Sequence, residues 1–388
     1  MASARTLHPI VAAALACLLA GSARADVLPE ERADASWRSY DGGGLKVQGP
    51  AVLVRKNFAD QVSVSAGYQV DQVSGASIDM VVLGASPLHE VRKQKQIGVD
   101  YLYGKTTYSA SAQSGIENDY DASTVNLAIS QSMFGDMTTV TISAGRGWDI
   151  VTKVIDAARH KRPGFRKRVD RKTWSLGLSQ ILTRNLIAGF DYEAITEQGY
   201  LQNPYRQMRY LIAPGIAQFA DEVYPGTRTS NAGALRLKYF LPWHASLTGK
   251  YRYFFDTWEI RAHTGEVDYT QSFLNDRLIA DLTYRYYRQG AASFYSDLFQ
   301  FAKQQNFMGR DKELAAQDNT AVGAALSYDF MKSKHWILKK ASGSLHYDHI
   351  MYRFKDFRDA SQRQLPAGSE PLYHYNANVV QASFSIWF

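Results

Sequence analysis

The sequence predicts an all-β fold: a single transmembrane, up-and-down antiparallel β-barrel of about 16 strands. Three observations predict it. Apolar and polar residues alternate along segments of about 10 to 14 residues, longer than ordinary globular strands and matched to a tilted membrane crossing. The connections between segments are short and long by turns. The chain closes on an alternating strand that ends in Phe388.

Composition narrows the choice to such a fold. Hydrophobic residues make up 45% and charged residues 21%, with 24 Tyr, 18 Phe and 7 Trp, which excludes a disordered or collagen-like chain. After the leader no apolar run approaches the ~18 residues of a membrane helix. The net charge of +7 is a modest excess for an exported protein, so nucleic acid is not an expected partner.

The leader comes first. Arg5, the apolar stretch Ile10 to Ala20 and Gly21-Ser22-Ala23-Arg24-Ala25 have the form of a secretory signal over residues 1–25, cut after Ala25. Residues 26–388 then form the barrel, destined for a Gram-negative outer membrane. The only cysteine, Cys17, lies inside the apolar core and leaves with it. A lipid anchor at Leu15-Ala16-Cys17 fits poorly, because Leu18, Leu19 and Ala20 follow. A mature chain without a thiol has no disulfide, thiolate metal site or cysteine nucleophile.

The first strand is a weak one, Ala35 to Tyr40. Short turns are expected at Ala59-Asp60, Gly104-Lys105, Gly135-Asp136, Thr183-Arg184-Asn185, Pro242-Trp243, Asn275-Asp276 and Lys332-Ser333-Lys334. Longer connections are expected at Asp41 to Gly44, Ser74 to Arg92, Gly115 to Tyr120, Ile150 to Asp170, Glu197 to Thr227, Thr257 to Arg261, Ala291 to Asn319 and Lys355 to His374. Seven short and eight other joins give 16 strands, with both termini and the short turns on the periplasmic side.

Period two is plainest in the second half. Leu235, Leu237 and Tyr239 alternate with Arg236 and Lys238; Leu247 to Tyr253 keeps the odd parity, and Leu278 to Tyr286 shifts it to even. In the last strand Val380, Ala382, Phe384, Ile386 and Phe388 share a face. This end resembles the C-terminal signature that the barrel assembly machinery of Gram-negative outer membranes recognises. At 16 strands the interior is too wide for side chains to fill, so an aqueous lumen or a loop plug is expected.

Several strings at strand ends carry a family resemblance: Ser74-Gly75-Ala76-Ser77, Glu117-Asn118-Asp119-Tyr120, Arg146-Gly147-Trp148-Asp149, Asn203-Pro204-Tyr205-Arg206 and Gly309-Arg310-Asp311-Lys312-Glu313-Leu314. Together they resemble an outer-membrane barrel family known only under a domain-of-unknown-function label. The resemblance implies a secreted barrel with no assigned catalytic residue or cofactor. It also implies a neighbourhood of a flavin-transferring lipoprotein and a small lipoprotein. An alternative role follows from that: a scaffold holding a partner lipoprotein in an envelope redox or protein-modification system.

Charge on the lumen side supplies the first candidate site. By parity Arg236, Lys238, Lys250 and Arg252 form a basic strip on two adjacent strands, flanked by the acids Asp191, Glu193, Glu266, Asp268 and Asp281. Such a strip attracts anions; a salt-bridge ladder that satisfies a water-filled wall is the alternative. The second candidate is the cluster Arg159, Lys161, Arg162, Arg166, Lys167 and Arg168. Facing outward it meets lipid and lipopolysaccharide phosphates, folded inward it constricts the pore, and otherwise it is a solvated loop.

The two longest loops carry apolar residues. Tyr210-Leu211-Ile212 lies in one, and Phe294, Leu298, Phe301 and Ala302 recur at helical spacing in the other, predicting a short amphipathic helix there. Both loops are expected over or in the mouth. Asn203, Arg206, Arg310, Asp311, Lys312 and Glu313 then meet either as a clasp that holds the loops down or as a ligand site. No metal or cofactor motif is present, and the only hydrolytic set to consider is Ser344, His346 and Asp348, without a nucleophile elbow. No enzymatic activity is expected. The expected function is a porin-like channel with a loop-restricted mouth for small solutes, anions among them.

Overall fold

The computed structural model describes residues 27–75, 82, 88–155, 161–332 and 338–388. The expected signal over residues 1–25 with Cys17, the motif residues Ala76 and Ser77, the basic residues Arg159 and His160, and the turn residues Ser333 and Lys334 lie outside the described residues. The strands are β1 (Arg32–Gly42), β2 (Leu45–Phe58), β3 (Val62–Gly75), β4 (Leu88–Tyr103), β5 (Thr106–Ile116), β6 (Tyr120–Met133), β7 (Thr138–Val154), β8 (Lys161–Thr183), β9 (Leu186–Gly199), β10 (Gln207–Ala213), β11 (Ile216–Asp221), β12 (Thr227–Leu241), β13 (Ala245–Asp256), β14 (Arg261–Phe273), β15 (Leu278–Gln289), β16 (Gln317–Lys332), β17 (Lys340–Arg358) and β18 (Leu372–Trp387).

Sixteen strands close an antiparallel barrel, as the joins predict; β10 and β11 form a separate hairpin. Neighbours in the chain are neighbours in the wall, with β9 pairing β12 around the hairpin and β1 pairing β18 to close the ring. Closure leaves the barrel no open edge, so each of its sixteen strands has a partner on both sides. This is what rescues the weak first strand. Its large apolar residues are only Trp37 and Tyr40, yet it pairs with β2 and β18 along its whole length, from Arg32 to Gly42.

The pleat sorts side chains as period two requires. Val52 and Val54, Ile97 and Val99, Leu127 and Ile129, Leu235 and Leu237 all stand exposed on the outer face. An apolar belt of this extent has no place in water and suits lipid. The opposite parity carries small polar residues: Ser63, Ser65 and Gln69 of β3 and Thr248 of β13 are buried inside. Hydroxyl pairs join the inner wall across strands, at 2.5 Å for Ser143 and Ser175 and 2.5 Å for Ser344 and Ser383.

Tight turns form where the sequence supplies residues that tolerate left-handed backbone. At one end Gly43 and Gly44 turn β1 into β2 with φ of 60° and 79°. At the other end Ala59 and Asp60, and Asn275 and Asp276, take positive φ between consecutive strands.

One glycine is fixed by a close approach. Gly49 of β2 lies opposite Arg38 of β1, and the Arg38 guanidinium reaches Asp71 of β3, with Nη2 at 2.9 Å from both carboxylate oxygens. A Cβ on Gly49 would fall 1.7 Å from the carbonyl oxygen of Val70. Gly49→Ala is therefore expected to force the β2–β3 ladder apart at a destabilisation of roughly 1–3 kcal/mol. The temperature at which the folded barrel loses its compact gel mobility should fall, and an unchanged temperature would remove the steric account.

Two expectations are corrected. The connection from Ile150 to Asp170 is mostly strand, since β7 runs to Val154 and β8 begins at Lys161, extending a hairpin beyond the belt. The amphipathic helix expected between Ala291 and Asn319 does not form; the helical element described there is a short 3-10 turn, Lys312–Leu314. Its backbone groups are taken by the neighbouring hairpin and loop instead. Tyr210 bridges to Phe299, and Val223 bridges to Met308. Phe294 is buried as expected of an apolar anchor, whereas Phe301 stands 58% exposed.

Candidate functional site: the filled mouth and the charged wall

At the end of the barrel that carries the long loops, loop residues pack against the inner wall. Inward-facing Ile350, Tyr352 and Phe354 of β17 and Ala377 of β18 pack with Ala315, Phe357 and Ala360, joined by Phe219 of β11 and Tyr295. Tyr224, Trp258 and Phe294 form a second cluster, and Met208, Phe299 and Met308 a third. The aromatic contacts are close: Tyr352 stacks on Tyr375 at 4.5 Å, and the Trp258 and Phe294 rings meet edge to face at 5.1 Å. These clusters join the β10–β11 hairpin and the β15–β16 loop to the inner wall, forming a plug.

Buried charges tie the plug together. Arg209 of β10 is 2% exposed and binds Glu370 at 2.5 Å, Asp297 through its side chain, and the Asp297 carbonyl oxygen at 2.9 Å. Arg310, also 2% exposed, binds the other Asp297 oxygen at 3.0 Å and the Arg358 carbonyl at 3.0 Å. Its guanidinium lies 4.4 Å from the centre of the Phe357 ring. Asp297 is thus shared by two arginines, and its own loop, strand β10 and the end of β17 meet on it. Buried charge of this kind is tolerable because each guanidinium and carboxylate finds several partners.

The expected clasp set is distributed within this network. Arg206 pairs with Asp311, whose carboxylate also accepts from the Glu313 amide at 3.0 Å. Asn203 accepts from the Tyr205 amide at 2.9 Å, and Lys312 lies over the Tyr375 ring at 5.4 Å. Arg310 turns away from its sequence neighbours to Asp297 and to Glu222, whose Oε1 accepts from the Arg310 amide at 2.6 Å. Sequence reasoning did not find Arg209, Asp297, Glu222 or Glu370. The available signal was one arginine between apolar Met208 and Tyr210, with an acid in each facing loop.

Glu370 gives the clasp a pH response. Burial acts to raise its carboxyl, but the hydrogen bond and charge of Arg209 and the amides of Glu370 itself and Gly368 outweigh it and hold the group below the ordinary glutamate value. A carboxyl lowered in the folded state contributes stability above its unfolded pKa of about 4.3, and that contribution fades as pH falls through the lower folded value. Loop 359–371 is therefore expected to resist protease at neutral pH and to be cut faster below about pH 4. Equal rates at both pH values, measured with an acid-active protease, would contradict this.

On the lumen wall the register brings Arg236, Lys250, Glu266 and Arg285 into one row across β12 to β15. Gln289, which anchors the plug by donating to the Glu313 and Ala315 carbonyls at 2.8 Å, lies four residues nearer the mouth than Arg285. Only part of the expected ladder forms. Lys250 sits between Glu266 at 2.5 Å and Asp268 at 2.9 Å. Arg236, Arg252 and Arg285 have no carboxylate at ion-pair distance among the described residues, and Lys238 contacts the Phe240 ring at 5.4 Å. Asp191 and Glu193 face Ala234 and Ala232 across the ladder, and Asp281 accepts from Thr270 at 2.5 Å.

The other candidates sort as follows. Lys161, Arg162, Arg166, Lys167 and Arg168 are exposed on the extended β7–β8 hairpin. His346 contacts Asp348 at 3.0 Å, while the Ser344 hydroxyl is joined to Ser383, not to His346. Glu90, Glu117 and Asp119 bring carboxylate oxygens within 4.8 Å of one another and are the group best placed to hold a cation, but Arg92 already stands 3.2 Å from Glu117.

A model of a family described as a protein of unknown function (DUF3570) matches residues 78–342. No curated protein matches the chain. Among solved structures, the barrel is similar to a bacterial polysaccharide outer membrane secretin, at 8% identity, 94% coverage of this chain, 100% of that chain and a TM-score of 0.51. The outer membrane protein opdK of Pseudomonas aeruginosa matches at 9% identity over 92% of this chain and 99% of that one, with a TM-score of 0.43. A Pseudomonas aeruginosa FadL homologue matches at 9% identity over 93% and 91%, with a TM-score of 0.42. The fold is that of outer-membrane barrels.

Proposed function

The chain belongs to the DUF3570 family of unknown function, and from the build of its barrel we propose that it is an outer-membrane channel with a loop-restricted mouth that favours small anions. The observation that carries this is the set of lumen arginines, Arg236, Arg252 and Arg285, which have no carboxylate at ion-pair distance among the described residues, while Lys250 is clamped between two. A guanidinium without a carboxylate partner on a wall needs water or an anion to satisfy its donors, and it concentrates anions beside it. Lys238 adds to the same side. Asp191 and Glu193 lie on the neighbouring strand β9, and Asp281 lies on the strand of Arg285.

Planar-bilayer recording on purified protein under a salt gradient tests the reading. Stable steps with a reversal potential on the anion side are expected. A cation-side potential would sink it.

A second reading has its own support. The packed aromatic clusters and shared carboxylate of the plug suit a sealed barrel that holds a partner lipoprotein in an envelope redox or modification system. A silent bilayer together with capture of a small lipoprotein by the intact barrel would favour it.

A further inference from the structure

We propose that the outer face of the β7–β8 hairpin is a docking surface for the phosphorylated sugar headgroup of lipopolysaccharide, with Lys172, Arg168 and Arg166 as its principal contacts. The proposal rests on the outer-membrane reading above, not on conduction. From Thr138↔Gln180 to Thr152↔Arg166 the β7–β8 register runs without a shift, so even-numbered residues of β8 keep one side throughout. Leu178 and Leu176 are lipid-facing, and Trp174 follows at 47% exposure beside β7, where Trp148 is 46% exposed. Indole rings at the end of an apolar belt mark the membrane interface.

The same column then becomes cationic. Lys172, Arg168 and Arg166 stand exposed directly beyond Trp174, the last about 25 Å along the strand at ~3.3 Å per residue. The only acid in the column, Asp170, is occupied by Arg146 of β7 at 2.9 Å. Lys172, Arg168, Arg166, Arg162 and Lys161 have no carboxylate at ion-pair distance among the described residues, and Lys167 lies over the Phe165 ring at 5.9 Å. The hairpin itself is held in place. Phe165 meets Tyr200 edge to face at 5.5 Å, and Arg171 turns inward to Glu197 at 3.0 Å.

An outward column of unneutralised cations that starts two residues beyond an aromatic girdle at Lys172 and rises along the strand to Arg166 is placed to meet the phosphates of the outer leaflet's sugar headgroups. Guanidinium groups bind phosphate through two parallel hydrogen bonds, and a lysine adds a point charge. Solvation alone explains neither the one-sided column nor its height.

The full chain in neutral detergent would be titrated with bisphosphorylated lipid A, with its dephosphorylated form and with phosphatidylglycerol. Affinity for bisphosphorylated lipid A is expected to exceed that for either of the others by about tenfold or more, the scale of one charge-assisted contact. A variant carrying Arg166→Glu, Arg168→Glu and Lys172→Glu should lose that margin while keeping its compact gel mobility. Equal affinity for all three lipids, or an unchanged margin in the variant, would overturn the proposal. On intact cells Lys161→Cys should react with a membrane-impermeant maleimide. A barrel that is present in the outer membrane but unlabelled would overturn the placement, whether or not it conducts.

Discussion

Replacing Arg209 or Arg310 with methionine is expected to undock the plug and enlarge the mouth. The first change leaves Glu370 buried without its arginine and takes one of two arginines from Asp297; the second takes the other arginine from Asp297. Removing one member of a buried pair costs on the order of 3–5 kcal/mol, more than the hydrophobic contacts of methionine return. A shift of ~3 kcal/mol changes the ratio of docked to undocked loops about a hundredfold. The wall is held by its own backbone ladder, so the barrel itself should persist. Larger or longer-lived conductance steps and faster protease cleavage in residues 200–226 are the expected readouts. Parent-like steps in both variants would mean that this network does not close the mouth.

The second large effect is on selectivity. Arg236→Glu, Arg252→Glu and Arg285→Glu together exchange three positive for three negative charges on β12, β13 and β15 of one wall. Glu266 and Asp268 are already engaged with Lys250 and cannot offset them. At physiological salt the Debye length is about 8 Å, so charges lining a narrow lumen still act on passing ions. The reversal potential is expected to cross from the anion to the cation side, with folding unaffected because the replaced groups make no ion pair. An unchanged potential would remove the arginine strip from the mechanism.

The wall was far easier to read than what lies inside it. Alternation in segments such as Leu235 to Leu241 reports a two-faced strand directly, because the pleat ties each residue's side to its parity. The count of joins followed from residues that suit tight turns, such as Asn275 and Asp276. Loop conformation carries no such period. Phe294, Leu298, Phe301 and Ala302 have helical spacing, yet their segment exchanges backbone hydrogen bonds with Arg209, Leu211 and Val223, residues about ninety positions away. Tertiary pairing overrode local pattern there. The clasp was legible only in part for the same reason. Arg206 and Asp311 stood in motif strings, but Arg209, Asp297 and Glu370 are joined by a fold of three loops that sequence spacing does not encode. On the wall, parity assigns each charged residue a face, whereas register alone decides that Lys250 meets Glu266 and Asp268.

The enclosed cylinder with lipid outside and water inside is tested most directly by site-directed spin labels placed one at a time from Ala234 to Tyr239 of β12 in lipid vesicles. Collision rates with oxygen and with a polar nickel complex should alternate strictly: oxygen high at Leu235, Leu237 and Tyr239, nickel high at Ala234, Arg236 and Lys238. Uniform access to the nickel complex, or an alternation of the opposite phase, would contradict the account.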